Sequence, residues 1–143
     1  MSVQTATKPT TTVAASADRA RPVVLGLFRV VVGFLFLCHG LQGFGFFGGV
    51  DGAGMAMPFG EWPGWWASLI EVVGALCVIA GFGTRIAAFL LSGVMAYAYF
   101  GYHAPLGLLP LHNQGELAAL YSWIFLLIAA FGPGAFALDK LRR

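Results

Sequence analysis

The stretch Gly64–Tyr102, GWWASLIEVVGALCVIAGFGTRIAAFLLSGVMAYAYFGY, decides the fold. It holds two apolar runs, 64–82 and 84–102, each near the roughly 20 residues that carry a helix across a hydrocarbon core. Only Gly83, Thr84 and Arg85 separate them, so the two helices must form an antiparallel hairpin with Arg85 at the surface where the chain turns. Working outward, further apolar runs at 22–43 and 115–132 complete a set of four. The expected architecture is all-α, an integral membrane four-helix bundle over residues 22–139. A disordered tail at 1–21 precedes it, and a short basic tail at 140–143 follows.

Composition agrees with that reading and removes several function classes. The chain of 143 residues is 59% hydrophobic and 10% charged, with a mean hydropathy of +0.81, far from the charge-rich average of soluble domains. Its formal charge of +2 is scattered rather than gathered into a basic stripe with interleaved aromatics, so nucleic acid is not an expected partner. Cys38 and Cys77 form no Cys-x-x-Cys pair, which sets dithiol exchange aside. The N-terminal apolar run exceeds signal-peptide length and lacks a small-x-small cleavage site, so the first helix is expected to stay.

Orientation follows from the basic residues. Lys8, Arg19, Arg21, Arg85, Lys140, Arg142 and Arg143 flank one side of the four spans, which predicts that both termini are cytoplasmic. Asp51 and Glu61 then lie in an outer link, where Trp62, Trp65 and Trp66 read as an interfacial belt. Gly26, Gly33 and Gly40 recur every seven residues in the first helix, as do Gly74 and Gly81 in the second. Such stripes mark faces where helix backbones approach closely.

Several ionisable residues lie within or beside the apolar runs. Arg29 stands about 10 Å into the first helix, where a cation costs about 2.5–3.5 kcal/mol on insertion scales and needs a partner or a path to the headgroups. Glu71 lies at a similar depth from the other side, on an inward face with Ala67, Ala75 and Val78. It can pair with a cation, accept hydrogen bonds, hold a metal or stay protonated. His39, His103, His112 and Glu116 all fall on the outer side with it. Imidazoles and carboxylates are ligands for zinc, iron, copper or manganese, although no His-x-x-x-His or Glu-x-x-His pair fixes two of them on one helical face. The same groups suit a quinone headgroup, which takes hydrogen bonds at two carbonyls and protons on reduction. Phe36, Trp66, Tyr97, Tyr99, Tyr102 and Tyr121 are candidate ring-stacking residues.

The order of these residues resembles the DoxX family of small bacterial membrane proteins. The resemblance spans about residues 25–139 and rests on Arg29, on His39-Gly40 closing the first helix and on Glu71 with Gly74 in the second. It continues through Gly83-Thr84-Arg85 at the turn, His103-Ala104-Pro105-Leu106-Gly107 after the third helix, and Asn113-Gln114-Gly115-Glu116 opening the fourth. Gln42-Gly43 stands where many members carry a basic residue. The resemblance implies a four-helix fold in the bacterial cytoplasmic membrane and kinship with the membrane subunit of thiosulfate:quinone oxidoreductases.

Together the expectations describe a redox-associated membrane subunit near the quinone pool, with Glu71, His39 and Glu116 as catalytic groups. Arg29, His103, Asn113 and His112 would surround a quinone, or less readily a metal. Membrane or periplasm-facing partner proteins, membrane lipids and an oligomeric state complete this reading. Two others stand beside it: a non-catalytic accessory subunit of a larger respiratory or envelope complex, and a small-solute pathway.

Overall fold

The structure is a computed structural model and describes residues 12–141, with the side chains of 12–14 outside the description. The expectations for residues 1–11 and for Arg142 and Arg143 lie outside the described residues. Four helices carry the fold: α1 Thr12–Gln42, α2 Gly64–Ala80, α3 Thr84–Ala98 and α4 Glu116–Phe131. No named strand occurs among the described residues; one isolated bridge joins Gly49 and Met55.

The α1 boundary corrects the expected tail. Residues 12–21 are helical, because Ala14, Ala15, Ala17 and Ala20 carry little conformational penalty in a helix. Asp18 and Arg21 add an exposed ion pair at 3.2 Å, one turn apart. At its other end, α3 widens after Ala98 into a π turn over Tyr99–His103 and a short 3-10 turn to Leu106. The segments 15–42 and 84–106 are long and apolar enough to cross a membrane, while 64–80 and 116–131 are shorter apolar helices.

α1 packs on α2, α2 on α3, and α3 on α4. The set closes where Phe36 of α1 meets Tyr121 and Phe125 of α4, with ring centroids 4.9 and 4.7 Å apart. Phe36, Ala75, Val78, Ala88, Leu91, Phe125 and Ile128 form the center of one apolar core. The glycine stripe lies where its spacing predicted: Gly33 faces Ile79 and Val78, Gly40 faces Glu71 and Val72, and Gly74 faces Leu91.

Polar groups lock the end that carries the α2–α3 turn. Arg29 is fully buried there and donates to five backbone carbonyls. Nη1 reaches Val78 O at 2.5 Å and Ile79 O at 2.7 Å, both carbonyls of the last turn of α2. Nε reaches Pro133 O at 2.9 Å, and Nη2 reaches Ala135 O at 3.3 Å and Phe136 O at 3.0 Å. These last three belong to a segment after α4 that doubles back across the bundle end. It is tied down by Ala135 N–H donating to Pro22 O at 2.6 Å and Asp139 N–H donating to Gly81 O at 2.8 Å.

Two glycines make this crossing possible. A Cβ on Gly26 would sit 2.6 Å from Ala135 O, and one on Gly81, already at φ 70°, would sit 2.7 Å from Arg29 Nη1. The remaining helix ends at this face are capped from afar. Arg85 Nη1 donates to Ala129 O and Ala130 O of α4 at 2.8 and 2.7 Å. Asp139 accepts from Gly83 N–H at 2.8 Å, Thr84 N–H at 3.0 Å and the Thr84 hydroxyl at 2.8 Å, capping the start of α3. Partial burial works to raise the Asp139 carboxyl, but the Thr84 and Gly83 hydrogen bonds and the nearby Arg29 charge outweigh it and hold it below the usual carboxylate range.

Replacing Arg29 with Met keeps length and apolar bulk but takes the donor from its carbonyl acceptors, of which Val78 O keeps another in the Gly81 N–H, at about 1–3 kcal/mol for each left dry and unpaired. We expect Arg29→Met to lower the thermal midpoint in detergent by well over 10 °C, with Arg29→Lys between it and the native chain. The depressed Asp139 carboxyl contributes stability that is complete above the unfolded-state value, about 3.9, and is lost as pH falls through its folded-state value. Asp139→Asn should therefore melt lower near neutral pH and lose part of the native chain's acid-induced decline below about pH 4, checked by melting curves across pH.

Candidate functional site

At the opposite end of the bundle, the long link 43–63 and the shorter link 104–115 fold over the helix termini. Asp51 nucleates a turn in the first by accepting the N–H groups of Met55 and Ala53, both at 2.9 Å, which hold its carboxyl below the usual range. Met57 N–H donates to Gly43 O at 2.8 Å and brings the link back over α2. Trp65 then packs between Phe59 and Trp66, with centroids 4.8 and 5.0 Å away, and Trp66 Nε1 donates to Gly60 O at 3.1 Å.

Beneath this link lies a cavity of about 420 Å³ between α2 and α3, within the range of small-molecule sites. Met57, Glu61, Trp62 and Pro63 form its rim, Val94, Tyr97 and Tyr102 one wall, and Glu71 its polar floor. Glu71 is 6% exposed. Among the described residues, no hydrogen bond or ion pair reaches its carboxyl group. The sequence places Glu71 inward through its shared face with Ala75 and Val78, and both of those are fully buried. Tyr102 reaches the same cavity from the π turn that ends the α3 helix, a local widening the apolar pattern does not signal.

The other expected site residues do not join Glu71. His39 turns toward α4, its ring centroid 5.6 Å from Phe36 and 6.4 Å from Tyr121. His103 Nδ1 lies 3.0 Å from Asn113 O, while Asn113 Nδ2 donates to Gly107 O and its Oδ1 accepts from Gly115 N–H, both at 2.8 Å. Both residues thus hold the second link together. Glu116 and His112 are exposed on that link and on the first turn of α4. No group of three or more His, Cys, Asp or Glu side chains near enough to hold a metal occurs among the described residues.

Arg29 is also separate from Glu71. Its α2 partners, Val78 and Ile79, lie about 10–12 Å further along that helix. The ion pair open at the level of sequence is replaced by backbone carbonyls. The aromatic candidates divide in the same way: Tyr97 and Tyr102 line the cavity and Trp66 a neighbouring one, whereas Phe36 and Tyr121 belong to the core contact between α1 and α4. Sequence reading passed over Trp62, Met57 and Glu61 as cavity residues, because the link fold that brings them over Glu71 has no helical period.

Comparison with known proteins places this architecture. The DoxX family model matches residues 24–104, which include Arg29, the α2–α3 hairpin and every residue of the cavity. An uncharacterized protein of Haemophilus influenzae is 43% identical over 131 residues, covering 86% of this chain and 93% of the relative. No solved structure matches the chain. With the family pattern spanning more than half of the sequence and a relative aligned along most of its length, the chain belongs to the DoxX family.

Proposed function

We propose that this DoxX protein is a four-span subunit of the bacterial cytoplasmic membrane, both termini cytoplasmic, that binds a quinone headgroup and works with redox partner proteins. Its outward surface supports the setting. Leu27, Phe34, Val73, Ile86, Phe89, Leu120 and Trp123 are all more than 40% exposed, an apolar girdle on every helix that water does not favour and lipid does. Arg19, Arg21, Arg85 and Lys140 surround the locked end, while Asp51, Glu61 and Glu116 surround the other, which supports the orientation.

The observation that carries the functional reading is the buried Glu71 carboxyl at the floor of an aromatic-walled cavity. A flat ring fits between Trp62, Tyr97 and Tyr102. A carboxyl group and phenol hydroxyls supply hydrogen bonds to carbonyl oxygens, and Glu71 is placed to pass a proton to a reduced ring. His39 and Glu116 have no part in this site as it is built. The accessory reading has its own support, since Arg29, His103 and Asn113 are spent on holding the fold and Arg85 lends its Nη1 to capping α4. A solute pathway gains no comparable observation.

In reconstituted protein, a short-chain quinone should quench Trp62 fluorescence saturably. Glu71→Gln should weaken that binding about tenfold or more, the loss of a charge-assisted or carboxyl hydrogen bond in a dry site, with the melting temperature little changed. Equal binding by the Gln variant, or no saturable binding by the native chain, would remove the quinone reading and leave the accessory one. For orientation, single cysteines at Asp51→Cys and Lys140→Cys in a chain lacking Cys38 and Cys77 should react with an impermeant maleimide from opposite faces, position 51 from the periplasm.

A further inference from the structure

Away from the Glu71 cavity, α2 and α3 part on their lipid-facing side. The groove between them holds about 450 Å³ and is lined almost wholly by carbon, including Leu69, Ile70, Val73, Cys77 and Leu90, with Phe82 at its lower end. From Ile70 to Phe82 the α2 side rises about 18 Å, close to the roughly 15 Å of hydrocarbon in one leaflet. At the α2–α3 turn this groove meets a second hollow of about 560 Å³, and the two share Gly83 and Ile86. Arg85 and Lys140 line the second hollow, together with Thr84, Pro133 and Asp139.

Arg85 and Lys140 outnumber the one carboxylate of that hollow, Asp139, so its lining carries a net positive charge. Both Asp139 oxygens are already occupied by Gly83 N–H, Thr84 N–H and the Thr84 hydroxyl. Arg85 commits Nη1 to the carbonyls of Ala129 and Ala130, which leaves its Nε and Nη2 donors. Lys140 is exposed at the rim. An apolar channel one leaflet deep thus opens at its interfacial end onto two cations with donors to spare.

From this continuity we propose that the α2–α3 groove and the Arg85–Lys140 hollow form one binding site for an anionic phospholipid, with an acyl chain along the groove and its phosphate between the two basic side chains. Basic hollows between helix ends at the cytoplasmic surface favour anionic headgroups over zwitterionic ones. The site rests on the membrane-spanning orientation above but not on the quinone reading, whose cavity shares none of these residues. Lipid held here would brace the hairpin between its shared turn and Leu69, where no other helix covers it.

The test is native mass spectrometry of the full chain in mild detergent, titrated with phosphatidylglycerol or with phosphatidylcholine of the same chains. One phosphatidylglycerol should be retained about tenfold more tightly than phosphatidylcholine. Lys140→Gln, which disturbs no contact of the fold, should cut that preference severalfold, and the Arg85→Gln, Lys140→Gln pair should abolish it. Ile86→Trp, at a 72% exposed position shared by both hollows, should weaken both lipids by obstructing the passage between them. Equal retention of the two lipids by the native chain, an undiminished preference in the Lys140→Gln chain, or full competition by glycerol phosphate would each overturn the proposal, the last by showing a soluble phosphate site. Extraction of the chain from membranes at alkaline pH would instead overturn the spanning orientation, and so separates the two failures.

Discussion

Arg29 satisfies what the end of α2 and the segment returning after α4 leave undone. Every α-helix finishes with carbonyls that have no partner of their own, and where water is scarce each must find a donor or cost several kcal/mol. A guanidinium carries five donors in one plane, and here all of its contacts go to carbonyls from α2 and from the 133–136 segment. Its charge is therefore spread over oriented dipoles rather than matched to one carboxylate, with Asp139 contributing from a distance. Gly26 and Gly81 are small because this convergence needs backbone within van der Waals reach of the guanidinium and of the returning chain.

The two ends of the bundle then follow different rules. At the turn end polar groups cap the helices: Arg85 Nη1 closes α4, and Asp139 opens α3 from 55 residues away. At the link end His103 and Asn113 hold a loop, but Glu71 is left facing a cavity rather than a partner. An unpaired carboxyl in apolar surroundings adds nothing to stability, so no contact within the fold accounts for its placement there.

Much of the fold was legible because length and hydropathy are local properties. All four helices and a tight α2–α3 connection could be read from runs of apolar residues, although the turn is Gly81–Gly83 and Thr84 and Arg85 already belong to α3, and the glycine stripe gave the packing faces. The inward position of Glu71 also came from period alone. α1 begins at Thr12, earlier than the polar composition of 12–21 suggests, because alanine favours helix there. The partners of Arg29 were not legible for a different reason: every residue has a carbonyl, so nothing in the letters 133–136 marks them as acceptors. Nor could the histidines be sorted, since sharing one end of a bundle does not bring side chains together. His39 faces an aromatic wall, His103 a loop carbonyl, and His112 the outside.

The return of residues 133–136 to Arg29 also bears on how the chain comes to be assembled. A protein made from its N-terminus commits α1 first and the returning segment only after α4. Throughout synthesis of the hairpin and of α4, Arg29 can reach at most the two α2 carbonyls; its other three acceptors have yet to leave the ribosome. The bundle is thus closed by residues that follow all four helices, and a chain truncated just after α4 would hold four complete helices around a cation still lacking most of its coordination.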